Sequence, residues 1–198
     1  MERVIGVDSE LGGLVIGCDP GPDRCALALV EYDGSFFHVR GLAYPRWDSM
    51  FGTSCTDLAA VLPFFGDFSF AYEKVTTRYG AVPGATTYDT CRNAGVLIGV
   101  MVRAGASAVY GLGTVDWRVA LGGRTNIKDS ETRAALISIL GSDQDKFISA
   151  EAAKLKKEYN LDKPIGSHLR DAVGVAIGAY LMKRHGTPAS AREIYHAR

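Results

Sequence analysis

At 198 residues the chain is long enough for one domain with a proper core and short for two independent ones. An apolar content of 47% and 23 glycines suit an ordinary α/β protein, and no apolar run reaches the roughly 18 residues that a membrane span needs. A net charge of +0 argues by itself against a nucleic-acid binder, but residues 1–72 hold four Lys/Arg against ten Asp/Glu while 73–198 hold eighteen against twelve.

Such asymmetry hints at a basic face on a neutral molecule, although folding can interleave the two halves. The first residues lack the basic-then-apolar plan of a signal peptide, so a cytoplasmic location is expected. Cys18, Cys25, Cys55 and Cys91 form no CxxC pair and have no histidine at zinc spacing, and they read as reduced, mostly buried thiols.

Residues 1–13 contain a decoy. Val4 to Asp8 mimics Val15 to Asp19, but Asp8 is followed by Ser9 and Glu10 rather than by Pro-Gly, and the segment reads as an N-terminal extension. From Leu14 an apolar run climbs to Asp19, turns at Pro20 and Gly21, and a second run spans Ala26 to Val30: strand, tight turn, strand. A carboxylate ending a buried strand is costly unless a cation, hydrogen bonds or a metal ion compensates it. The alternative is a turn aspartate accepting backbone N–H groups. Asp33-Gly34 signals a hairpin, and a third strand over 35–42 completes an antiparallel meander.

A short helix is predicted over 53–62, with Ser54 and Asp57 at capping-box spacing. Residues 68–73 alternate and then end, like the first strand, on an acid, Glu73, which Lys74 could neutralise in a simple surface pair. Residues 76–87 form a loop in which Arg78 precedes one exposed aromatic, Tyr79. A long helix begins near Thr86. Its second half, Ala94 to Val102, is apolar on every side and must be covered twice. The sheet supplies one cover, and either a second copy of the protein or another part of this chain supplies the other. Gly95 and Gly99 would permit close approach.

A fifth strand is expected over 107–111, then a small helix from Thr114, a Gly122-Gly123 stop, and a loop bearing Arg118, Arg124 and Lys128. Basic residues around a glycine turn suit phosphate oxygens, or are merely solvated. A helix over 129–140 precedes a polar, insertion-like segment, 141–166, with its own helix over 149–159. The last helix opens on His168 and Asp171, three apart and therefore on one face. Its N-terminus should hold the imidazole neutral and the carboxyl ionised, and Gly174 and Gly178 should let it lie close on the sheet. The tail from 186 to 198 is basic and expected to be loosely held.

Asp19, Glu73, His168 and Asp171 stand out together. Three converging carboxylates repel one another and call for divalent cations. An oxygen-rich set with one imidazole suits Mg²⁺ or Mn²⁺. Two such ions roughly 4 Å apart can drive phosphodiester cleavage.

The chain from Leu14 to Leu181 resembles the RuvC-type Holliday-junction resolvases of the ribonuclease H-like superfamily. Val15, Ile16, Gly17, Cys18, Asp19, Pro20 and Gly21 look like the family's first-strand motif. Tyr72 to Val75 is similar to the segment carrying its second acid, and the helix with Asn93, Ala94 and Gly95 to its dimer-forming helix. Val115 to Lys128 resembles its basic DNA-binding segment, and His168, Leu169, Arg170, Asp171 and Ala172 match its terminal motif.

The resemblance implies an α/β, ribonuclease H-like fold: a mixed five-stranded sheet with helices on both faces over residues 14–185. It implies a homodimer through the helix around Ala94 to Val102 that nicks opposed strands of a four-way DNA junction. Asp19, Glu73 and Asp171 would hold two Mg²⁺ (or Mn²⁺) ions, and His168 would be a further ligand or assist the attacking water. Arg118, Arg124, Lys128 and Arg78 would grip phosphates, and Tyr79 would stack on a base or prop open the crossover. The family's wedge of Phe residues is absent after Glu73, which marks a divergent member, such as a phage-encoded one. Rival readings are a flap, fork or hybrid nuclease on the same fold, or a junction-binding protein without chemistry.

Overall fold

A computed structural model describes residues 13–47, 67–75, 84–122, 128–185 and 192–196. Strands β1 (Leu14–Pro20), β2 (Cys25–Tyr32) and β3 (Phe37–Ala43) form the expected antiparallel meander. The Asp33 carboxylate closes its hairpin by accepting the backbone N–H groups of Ser35 and Phe36 at 2.8 Å each. Strand β4 (Phe68–Glu73) lies parallel to β1, and β5 (Ala108–Leu112) parallel to β4. Helix α1 (Ala85–Arg103) makes the crossover between them. The mixed five-stranded core with helices on both faces is thus present. The predicted helix over 53–62 lies outside the described residues.

The C-terminal segment departs from expectation. Instead of a loose tail, β6 (Arg192–His196) pairs antiparallel with β5 and extends the sheet to the order β3-β2-β1-β4-β5-β6. An uncovered β5 would offer a row of unpaired N–H and C=O groups, and the tail answers that demand despite its charge. The opposite edge is managed differently: the Gln144 side-chain carbonyl accepts the Val39 N–H at 2.9 Å.

Gln144 belongs to the second correction. Helix α2 (Thr114–Ala120) and helix α3 (Asp129–Leu140) fall where expected, but α4 runs over Ser142–Glu158, a full two turns earlier than the predicted 149–159. It follows α3 after a single residue, Gly141, at φ +82°, a conformation glycine adopts without a Cβ penalty. Helix α5 (Gly166–His185) closes the structure.

Two cores follow from the period-2 alternation of the strands. On one face Ile16, Cys18, Phe68, Phe70 and Val109 pack with Leu97 and Met101 of α1. On the other, Val15, Ala26, Ala28 and Ala71 pack with Ala172, Val175 and Ala176 of α5. Gly17 makes the second contact possible, since a Cβ there would meet the Ala172 carbonyl oxygen at 2.0 Å. Of the described cysteines, Cys18 and Cys25 are buried and Cys91 is exposed, all as free thiols.

Candidate active site

The same alternation carries the acids to one place. Gly17 pairs with Ala71 and Cys18 with Tyr72 across the parallel β1–β4 ladder. Two residues beyond Gly17 and Ala71, on the face that α5 covers, come Asp19 and Glu73. The first turns of α5 lie over that end of the sheet and bring His168 and Asp171. His168 Nδ1 stands 2.8 Å from Asp19 Oδ2. All four residues singled out from sequence therefore sit together.

Glu73 is oriented by two residues that sequence reasoning did not single out. Asp116 accepts the Gly113 N–H at 3.0 Å and fixes the start of α2. Thr114 and Trp117, three apart, then face the sheet together. The Thr114 hydroxyl donates to Glu73 Oε1, and the Trp117 indole N–H donates to Oε2 at 3.3 Å. Trp117 is fully buried and sits in a slot made by glycines of α5. A Cβ at Gly174 would meet its ring at 2.5 Å, and one at Gly178 would meet its Cβ at 2.6 Å. These glycines admit the indole, whereas Gly17 is what lets α5 lie on the sheet.

The electrostatics correct a third expectation. Burial first, and then the charges of Asp19 and Glu73, push the Asp171 carboxyl up to about 7. Burial also raises Glu73, against the opposing hydrogen bonds from Thr114 and Trp117. The hydrogen bond to Asp19 raises His168 above its ordinary value. A helix N-terminus is worth a fraction of a kcal/mol at an exposed site. Here the surrounding carboxylates outweigh it, so the imidazole gains a proton more readily and Asp171 loses one less readily.

By kind, the donors fit a hard divalent cation: three carboxylates and an imidazole. Among the described residues no group of three or more His, Cys, Asp or Glu side chains is arranged to hold an ion. Arg118, expected to grip phosphates, is largely buried beside this site: its guanidinium lies 3.9 Å from Asp171 Oδ1 and 3.0 Å from Asp129 Oδ1. Lys128 is exposed just before α3. Arg78, Tyr79 and Arg124 lie outside the described residues.

Asp19 also separates two hollows of different character. One, about 310 Å³, is bounded by Glu73, Lys74, Thr86, Thr87, Thr90 and Thr114. The other, about 370 Å³, extends past His168 between the β1–β2 turn and the α4–α5 connection.

A mixed sheet with three parallel strands at its centre, a meander on one side and acids on two adjacent strands under a helix N-terminus matches the ribonuclease H-like fold. Comparison with known proteins agrees. The solved structure of Thermus thermophilus RuvC is similar with a TM-score of 0.66 and 21% identity, covering 91% of this chain and 99% of that one. T. thermophilus RuvC in complex with Holliday junction substrate gives 0.65 and 19%, over the same shares of the two chains. At these identities the likeness establishes the fold. No family model and no curated protein matches the sequence. No helix among the described residues is long and apolar enough to cross a membrane.

Proposed function

We propose that this protein is a divalent-cation-dependent endodeoxyribonuclease that resolves four-way DNA junctions by paired nicks. The observation that carries the reading is the convergence of Asp19, Glu73 and Asp171, from three elements distant in sequence, with His168 on Asp19. A fold gains nothing in stability from gathering like charges, so their assembly speaks for a cation and a reaction. The structural likeness, which includes a RuvC bound to junction DNA, supports branched DNA as the substrate.

Asp19, Glu73 and Asp171 would hold two ions, Mg²⁺ or Mn²⁺. When bound, the ions supply Lewis-acid stabilisation of the charge that develops on the phosphate. The remaining work falls to the chain. Thr114 and Trp117 fix the Glu73 carboxylate. Asp19 holds the Nδ1–H of His168, which leaves Nε2 free to take a proton from the attacking water. Arg118 offsets negative charge at the Asp171 side. Lys128, with Arg78 and Arg124, would hold backbone phosphates, which makes affinity steeply salt-dependent, and Tyr79 would engage the opened crossover.

Two active sites are needed for paired nicks, and the outer face of α1 suits a second copy. Val96 and Tyr88 are exposed there, and a Cβ at Gly95 or Gly99 would meet nothing within 4 Å.

The test is cleavage of a synthetic mobile junction beside a fork, a flap and an RNA–DNA hybrid, in Mg²⁺ and then in EDTA. Paired nicks on the junction, lost in Asp19→Asn while junction binding persists, are the expected result. Undiminished cutting by Asp19→Asn refutes the site. Equal cutting of flaps refutes the junction preference, and sedimentation as a monomer refutes the dimer.

A further inference from the structure

The larger hollow beside Asp19 is built for something other than a phosphate. Its neighbour across Asp19 is lined by four threonines, Glu73 and Lys74. This one is lined by Tyr44, Leu161 and Ile165, with charged groups confined to particular points: Arg24 and Lys163 of one sign, Asp23 and Asp162 of the other. The Tyr44 ring stacks toward His168, with centroids 6.1 Å apart and planes 26° apart, so the apolar surface continues from the candidate catalytic imidazole. At about 370 Å³ it falls in the range, about 300–1,000 Å³, of pockets that enclose small organic groups.

Its wall is also preorganised. The turn from Gly21 to Arg24 would be a free hairpin loop in a simple meander, yet it is pinned from two directions. The buried Trp47 donates its indole N–H to Gly21 O at 2.6 Å, and its backbone N–H to Asp23 O at 3.1 Å. Asn93 of α1, 1% exposed, donates to Pro22 O at 2.9 Å. Arg24 is fixed as well, donating to the Tyr44 carbonyl at 3.0 Å with its guanidinium 4.9 Å from the Tyr159 ring centroid. Holding a turn and a cation this firmly costs conformational freedom, and a solvated hairpin has no need of it.

Accepting the nuclease reading above, on which this inference rests, we propose that the hollow receives the nucleotide adjacent to the attacked phosphate and selects a base with an amine at the pyrimidine 4-position or purine 6-position, cytosine or adenine. Tyr44 and Leu161 bury the face of the base, Asp23 and Asp162 accept from its amine, and Lys163 and Arg24 attract the next phosphate. The pairing rests on general chemistry: aromatic rings bind any base face, whereas a carboxylate set against the pyrimidine 4-position or purine 6-position accepts from the amine of cytosine or adenine and is repelled by the carbonyl oxygen that thymine or guanine carries there. The pocket thus reads one base beside the cut, and the two acids on its rim set the preference.

Two measurements test this. Junctions carrying adenine or purine, and cytosine or pyrimidin-2-one, on either side of the cut differ only in the amine. Wild-type protein should favour the amine-bearing base about tenfold on one side of the cut, and Asp23→Ala/Asp162→Ala should lose that discrimination. Independently of cutting, 2-aminopurine at the same position, bound by an Asp19→Asn protein that leaves the DNA intact, should be quenched by stacking. Tyr44→Leu in that background should restore its emission. Equal cutting of every base by wild type, or unchanged preference in the double variant, overturns the pocket while leaving the nuclease intact. If wild type cuts no branched DNA, the function above fails, and quenching that depends on Tyr44 then decides the pocket alone. Emission indifferent to Tyr44 refutes it.

Discussion

Two carboxylates tied to neighbouring positions of α5 have opposite surroundings. Asp145 of α4 is buried and receives Arg133 at 2.7 Å and Arg170 at 2.8 Å, while Arg170 also reaches Ser149 at 2.7 Å. Burial works to raise its pKa, but the hydrogen bonds from the two arginines win and the carboxyl is held below its ordinary value. One residue further along α5 from Arg170, Asp171 is also largely removed from water. Its neighbours include the acids Asp19, Glu73 and Asp129, which Arg118, 3.9 Å away, opposes. The first arrangement is a finished structural joint linking α3, α4 and α5. The second is left incomplete by the chain alone. The difference separates burial that the fold satisfies for itself from burial that awaits a ligand.

Substitution should break the symmetry in opposite directions. Asp171→Asn is expected to lower cleavage about a thousandfold, roughly 4 kcal/mol of transition-state stabilisation. In the absence of divalent ions the same change should raise stability by about 1 kcal/mol at pH 8, because a repelled charge is gone. Nicking assays and thermal melts on one preparation check both signs. Asp145→Ala should do the reverse, losing about 2 kcal/mol of stability by stranding the buried Arg170 while folded protein still cuts, as denaturant titration beside nicking would reveal. If both substitutions destabilised equally, the contrast would be false.

Finer changes sharpen the comparison. Trp117→Phe keeps the ring in its slot but removes the donor to Glu73, and should lower cleavage about tenfold through a misoriented ligand. The metal-free pH profile carries the smallest signal. Asp145, depressed in the folded state, contributes stability above its unfolded value of about 3.9, and that contribution is lost as pH falls through the folded value. Asp171, raised to about 7, acts oppositely: its protonated form favours the fold, a contribution complete below about 4 and lost as pH rises through about 7. Melting temperatures across that range, with and without Mg²⁺, should show the upper loss only in the metal-free series.

Much of this was legible in the sequence because the strands state their own ends. Asp19 and Glu73 each close an apolar run, and His168 and Asp171 share a face by spacing, so the acid end was visible before any coordinates. The first half of α4 was not. Its inward positions are Asp145, Ile148, Ala152 and Leu155, an i, i+3, i+4 stripe whose first member is a charge, so the apolar pattern starts a turn late. Only the arginines of α3 and α5 make an aspartate a core residue there. Thr114 and Trp117 were hidden for a different reason: a helix of seven residues shows no period, and an indole N–H finds its acceptor only once β4 is beside it. The C-terminal strand was obscured by its charges, since nothing local reveals that a distant β5 edge needs a partner.

The slot that holds Trp117 joins the core to the chemistry in a way that constrains ancestry. Large ring at 117, no side chain at 174 or 178: each term is tolerable only in the presence of the others, since an added Cβ would collide at 2.5 or 2.6 Å. These three positions should drift through descent as a set. Lineages that abandon the indole become free to enlarge both helix glycines, and in doing so they must find another donor for Glu73 or abandon cutting.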